Sequence, residues 1–151
     1  MPPDQRDDHK DDHRDERRDE RRDDQRYHRG RDKLKQMMGD VGEQALDTIA
    51  RISPDMARYV AEFVFGDVHS RPALDLKTRE IAAVVSLVTR GGAEPQLRAH
   101  LHAALNVGCS EQEIIELMIE MAVYAGFPAA LNGLFAARDV FAEHKAKSPR
   151  S

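Results

Sequence analysis

The chain has 151 residues, 40% of them hydrophobic and 33% charged, with a formal net charge of −4 and a single cysteine. That length holds one ordinary domain, and a lone cysteine excludes an internal disulfide framework and fits a reducing cytoplasm. The net charge gives no reason to expect a nucleic-acid partner, no apolar run is long and uncharged enough to span a bilayer, and no hydrophobic stretch of a secretory signal opens the chain.

Residues 1–33 are low in complexity and almost free of large apolar side chains. Acids and arginines alternate, with a four-residue repeat around DERRDERRDDQR. On a helix the repeat sets like charges at i,i+4 (Asp15, Asp19, Asp23; Arg18, Arg22, Arg26) and opposite charges at i,i+3. These terms are each a few tenths of a kcal/mol and partly cancel, so a frayed helix or disorder is expected. The segment reads as a solvated arm, with a docking role as the alternative. Residues 34–145 are expected to form the helical domain, and residues 146–151 a tail.

From Leu34 onward the periodicity is helical. Leu34, Met37, Met38, Val41, Leu46 and Ile49 follow three-and-four spacing, with a break expected near Gly39 or Gly42. Ser53-Pro54 opens a second helix, Gly66 stands where its C-cap would fall, and Met56, Val60, Phe63 and Val64 make its expected apolar stripe. Arg71-Pro72 marks an extended loop. Asp75 caps a third helix carrying Ile81, Val84, Val85 and Val88, which ends at Gly91-Gly92. A fourth helix starts near Pro95 and buries Leu97, Leu101, Ala104 and Leu105. Ser110-Glu111-Gln112-Glu113 is a capping box for a fifth helix, apolar nearly all round and therefore either central or shared with another subunit. Gly126-Phe127-Pro128 separates it from a last helix rich in Ala and Gly. The fold class is all-α, with five or six helices and short connections.

Chemistry concentrates in RAHLHAALNVGC, Arg98 to Cys109. At 100° per residue, His100 and His102 point about 200° apart and cannot share a metal within one helix. His100 flanks the buried face; His102 groups with Arg98 and Asn106 on the outside. Cys109 lies in a turn and reads as a small, partly buried side chain. His69, His100, His102 and Cys109 are too dispersed for a zinc site, so no metal is expected. Glu80 flanks the apolar face of the preceding helix beside Val84 and Leu87. The Gly91-Gly92 turn makes the two helices antiparallel neighbours, so Glu80 and His100 are candidates for an acid/base pair across an apolar seam.

LDLKTREIAAVVSLVTRGG followed by H-x-x-x-A-L-N-x-G (from His100) and Y-A-G-x-P-A-A (from Tyr124) resembles the carboxymuconolactone decarboxylase family. The similarity runs from roughly Gly42 to Glu143. It implies an alkylhydroperoxidase D-like helical subunit that assembles into trimers or hexameric rings. One branch of that superfamily uses C-x-x-C-x-x-x-H; here the frame is Ala93 to His100, with the histidine kept and both cysteines absent. An alkylhydroperoxidase-like antioxidant role is therefore the least favoured reading, since no disulfide can cycle there. The other branch, the decarboxylase, implies a cofactor-free carboxy-lyase of aromatic catabolism acting on a small carboxylated lactone. In that reaction the lost carboxylate is vinylogous to the lactone carbonyl, and its electrons delocalise as a dienolate. The resemblance implies His100 as proton or oxyanion donor oriented by Glu80, and Arg71 and Arg79 as carboxylate ligands. It makes Glu116 a supporting or interface acid. A family member that serves as an oligomeric scaffold or small-acid binder is the alternative.

Overall fold

The computed structural model describes residues 8–147, with side chains from Arg18 onward. Expectations for residues 1–7 and for the end of the tail, 148–151, lie outside the described residues. Six α-helices and one π-helical stretch follow in order, with no strand among the described residues. They are α1 (Asp8–Ile52), α2 (Pro54–Tyr59) running into the π-helical stretch Val60–Val68, α3 (Leu76–Arg90), α4 (Glu94–Asn106), α5 (Glu111–Tyr124) and α6 (Phe127–Lys147). None of these helices is long and apolar enough to cross a membrane. The break expected near Gly39 or Gly42 falls at Gly39, whose φ of 63° interrupts α1.

The described residues divide into two compact units. The first combines α1 up to Lys33 with Leu46–Ser70. Here Gly30 and Gly66 allow backbones to touch. A Cβ on Gly30 would lie 1.8 Å from the Ala61 carbonyl oxygen, and one on Gly66 2.7 Å from that of Arg26. Arg26 locks the contact by donating from Nη2 to Asp67 at 2.6 Å, and Arg29 donates from Nε to the Gly66 carbonyl at 2.9 Å. So close an approach has room only for small side chains where the backbones meet; Ala57, Ala61 and Gly66 are buried in this unit, and Phe65 is buried with them. This corrects the expected stripe: Met56 and Phe63 face outward. Gly66 does not cap the helix either. The chain continues past it with wider turns, shown by the Val64 carbonyl accepting from His69 N at 2.8 Å.

The second unit combines Leu34–Ala45 with the chain from Arg71 onward. Two starts follow from side-chain chemistry. Asp75 accepts from Thr78 N at 2.7 Å. Ser110 Oγ accepts from Glu113 N at 3.0 Å, and Glu113 accepts in return from Ser110 N at 2.8 Å. Between the caps, Val84 and Val88 of α3, Leu97 and Leu101 of α4, Ile114 and Met118 of α5, and Val140 of α6 close one core. Burying a side chain the size of Leu101, Ile114 or Met118 is worth about 1.5–3 kcal/mol. Gly133 brings α6 close: its Cβ would lie 2.5 Å from Met118 Sδ and 3.0 Å from Val88. Of the nearly all-apolar α5, only one side is covered. Ile119, Val123 and Tyr124, with Phe127, Leu131 and Phe135 of α6, stand exposed.

Candidate active site

Gly91 and Gly92 turn the chain between α3 and α4 with φ of 67° and 66°, a region open to glycine at no steric cost. Folding back in this way sets α4 against α3. Glu80, Val84 and Val88 recur at four-residue spacing on α3, and all three are buried. Glu80 was expected on the flank of this face; it sits within the face, with no accessible surface at all. From α4, His100 Nδ1 approaches Glu80 Oε2 at 2.8 Å. The imidazole is not sealed in: its side chain keeps 22% exposure. Glu80 Oε1, by contrast, is buried and has no hydrogen-bond partner.

That arrangement has definite chemical consequences. A carboxylate opposite Nδ1 fixes the orientation and tautomer of a ring and leaves Nε2 as the atom that exchanges a proton. A buried polar atom with no partner costs about 1–3 kcal/mol, so an orphaned oxygen kept in a core calls for an explanation beyond packing.

Among the other expected site residues, Arg79 points into the loop before α3. It donates from Nη2 to the Arg71 carbonyl at 2.8 Å and from Nε to the Leu74 carbonyl at 3.2 Å. The Arg71 side chain is exposed in that loop. Glu116 is exposed on α5 and accepts from Gln112 Nε2 at 3.0 Å. Neither arginine bonds the Glu80–His100 pair directly, nor does Glu116.

The two remaining groups of the motif are placed differently from each other. His102, expected on the outside, is covered as much as His100, because Nε2 meets Glu143 Oε2 at 2.8 Å. Arg98 bonds the other oxygen of Glu143. The His102 bond first, then the Arg98 charge, hold the Glu143 carboxyl below its usual range. Cys109 is buried, and burial pushes its thiol up from the ordinary value. Among the described residues no three His, Cys, Asp or Glu side chains gather as a metal site would require.

Two cavities flank the pair without being lined by it. One, of about 450 Å³, lies at the Gly91-Gly92 turn against Glu94, Leu97 and Asn132. The other, about 640 Å³, lies at the opposite end of the helix pair, against Asp75, Lys77 and Asn106. Two facts had no sequence signal: the commitment of Arg79 to loop carbonyls and the pairing of His102. The burial of Glu80 did have one, in its four-residue spacing from Val84 and Val88.

Residues 54–139 match the model of the carboxymuconolactone decarboxylase family. The chain is 31% identical over 117 residues to a 4-carboxymuconolactone decarboxylase of Acinetobacter baylyi, covering 77% of this chain and 87% of that one. It is 34% identical over 94 residues to an uncharacterized 15.0 kDa protein of Paracoccus denitrificans (62% and 70% covered). It is 30% identical over 92 residues to a nitrosuccinic acid decarboxylase of Metarhizium robertsii (61% and 64% covered).

Proposed function

This chain belongs to the carboxymuconolactone decarboxylase family, and from that premise we propose that it is a cofactor-free carboxy-lyase acting on a small acid such as 4-carboxymuconolactone. The observation that carries the reading is the buried Glu80 carboxylate holding His100 by Nδ1 at 2.8 Å while the ring stays open to solvent. Support also comes from two relatives named as decarboxylases of different acids. Both names describe the loss of a carboxylate. Such a reaction needs three things from a protein: a grip on carboxylate, stabilisation of the developing anion, and one proton.

Arg71 supplies the grip, by the paired hydrogen bonds a guanidinium makes to carboxylate. The C–CO2 bond breaks and its electron pair enters the conjugated system as a dienolate. His100 Nε2–H faces the developing charge and delivers its proton to carbon; the proton is then replaced from solvent through the exposed edge of the ring. Glu80 holds the ring in place and balances its charge as the proton leaves and returns. Glu116 belongs to a subunit interface in this account. We place the protein in a homo-oligomer because Ile119, Val123, Phe127 and Leu131 present an apolar face around a groove of about 580 Å³; a trimer or hexamer is what the family resemblance implies. A reducing cytoplasm suits its single thiol. Residues 1–33 take no part in the chemistry in this account.

The test is direct. Purified protein supplied with 4-carboxymuconolactone is expected to consume it and release CO2 in equal amounts without added metal or cofactor. Folded, oligomeric protein that does neither would point to a scaffold or small-acid binder instead.

A further inference from the structure

Arg79 stands next to Glu80 in the chain, and from sequence it is a second carboxylate ligand beside Arg71. Its geometry says otherwise. The Nε and Nη2 hydrogens lie along one edge of the guanidinium, the edge that grips a carboxylate side-on. Both are used on backbone, at the Arg71 carbonyl (2.8 Å) and the Leu74 carbonyl (3.2 Å). These two carbonyls bracket the loop that leads into α3. Pro72 has no N–H, so the Arg71–Leu74 stretch has one backbone donor fewer with which to bond itself. A planar fork bridging two carbonyls three residues apart supplies that missing constraint. Asp75 fixes the far end of the loop by capping α3. The Arg71 side chain is the exposed cation of this clamped stretch, with its charge uncommitted to any acid in the described residues.

We propose that Arg79 is a positioning residue: it clamps the Arg71–Leu74 loop and thereby holds the Arg71 guanidinium ready for a substrate carboxylate. The role rests on the carboxy-lyase reading for the identity of the ligand, but the clamp itself does not. A clamp and a charge make opposite demands on replacement. Lysine keeps the charge of arginine and cannot bridge two fixed carbonyls with a planar fork. If Arg79 bound substrate by charge, Arg79→Lys would keep most of its effect; as a clamp, Arg79→Lys behaves like Arg79→Gln.

Backbone amide NMR order parameters and steady-state kinetics on the full chain decide it. In Arg79→Gln and Arg79→Lys alike, order parameters at Ala73 and Leu74 are expected to fall while those of α5 and α6 stay as in the wild type. KM for 4-carboxymuconolactone rises about tenfold or more, the scale of one lost charge-assisted hydrogen bond, with kcat changed little. Arg71→Gln raises KM as well and leaves the loop order parameters as they were. The double variant Arg71→Gln/Arg79→Gln is no worse than Arg71→Gln, since the clamp acts only through Arg71. Wild-type order parameters in the Arg79→Gln loop overturn the clamp whatever the activity. Retention of low KM by Arg79→Lys, or additive losses in the double variant, overturns the positioning role in favour of direct binding. A protein that binds the lactone by calorimetry with this same mutant pattern, yet releases no CO2, contradicts the lyase reading and upholds the clamp.

Discussion

Replacing Glu80 by Met separates what the pair does for the fold from what it does for chemistry. Glu80 is fully buried, with Oε2 on His100 and Oε1 on nothing. Removing the carboxylate loses one charge-assisted hydrogen bond, about 1.5–3 kcal/mol, and relieves an orphaned oxygen that costs about 1–3 kcal/mol. A methionine of similar volume refills the site with apolar atoms, and such exchanges of buried ionic groups are often neutral or stabilising by about 1–4 kcal/mol. Glu80→Met is therefore expected to unfold within about 1 kcal/mol of the wild type, or later. His100→Leu does the opposite. It strands the carboxylate with no partner, a loss of about 3–5 kcal/mol for a sealed site. The 22% exposure of the His100 side chain lets water reach the gap, so about 2 kcal/mol is the expected cost. The double variant recovers most of that loss. Urea unfolding followed by circular dichroism at one fixed protein concentration measures all three, since assembly shifts apparent stability. A loss above about 2 kcal/mol in Glu80→Met, with His100→Leu unaffected, would refute the reasoning: Glu80 would then be a structural group and not a strained one kept for its chemistry.

Other outcomes are as definite. Gly30→Ala forces a Cβ to 1.8 Å from the Ala61 carbonyl oxygen; backbone cannot yield as a side chain does, so thermal melts should show a loss of about 3 kcal/mol or more, above the usual overpacking cost. The Lys77 bond, then the Ser110 backbone bond, hold the Glu113 carboxyl below its ordinary value. A depressed folded-state value stabilises above the unfolded one and is lost as pH falls through the folded one. Acid titration of stability should accordingly be shallower below about pH 4.5 in Glu113→Gln than in the wild type. The raised thiol of buried Cys109 predicts slow reaction with a disulfide reagent at neutral pH and fast reaction in denaturant. Fast labelling of the native protein would contradict its burial.

The sequence made α3 to α6 legible because their ends carry local chemistry. Asp75, the Ser110 and Glu113 box, and the glycines at 91 and 92 each satisfy backbone groups within a few residues, and that information is present in any short window. Legibility ended where long-range contacts decide. Nothing in YVAEFVFGDV says that Gly66 will lie under the Arg26 carbonyl, so the π-helical continuation and its outward Phe63 were out of reach of a pattern read in steps of 3.6. Helical register gives a direction and not a neighbour. It put His100 correctly at the edge of the core, and it missed Glu143, forty-one positions away, that covers His102. Arg79 shows the same limit: its residue type and its place beside Glu80 pointed to an anion, and only the loop geometry revealed carbonyls as its partners.

The central claim is that His100, held by Glu80, delivers the proton. Single-turnover decarboxylation of 4-carboxymuconolactone by wild-type and His100→Ala protein, matched for folding and assembly, tests it most directly. The account predicts a fall in rate of about 10²–10⁴ in His100→Ala, the usual worth of a positioned general acid. A folded His100→Ala protein whose rate stays within about threefold of wild type, far inside that range, would contradict it.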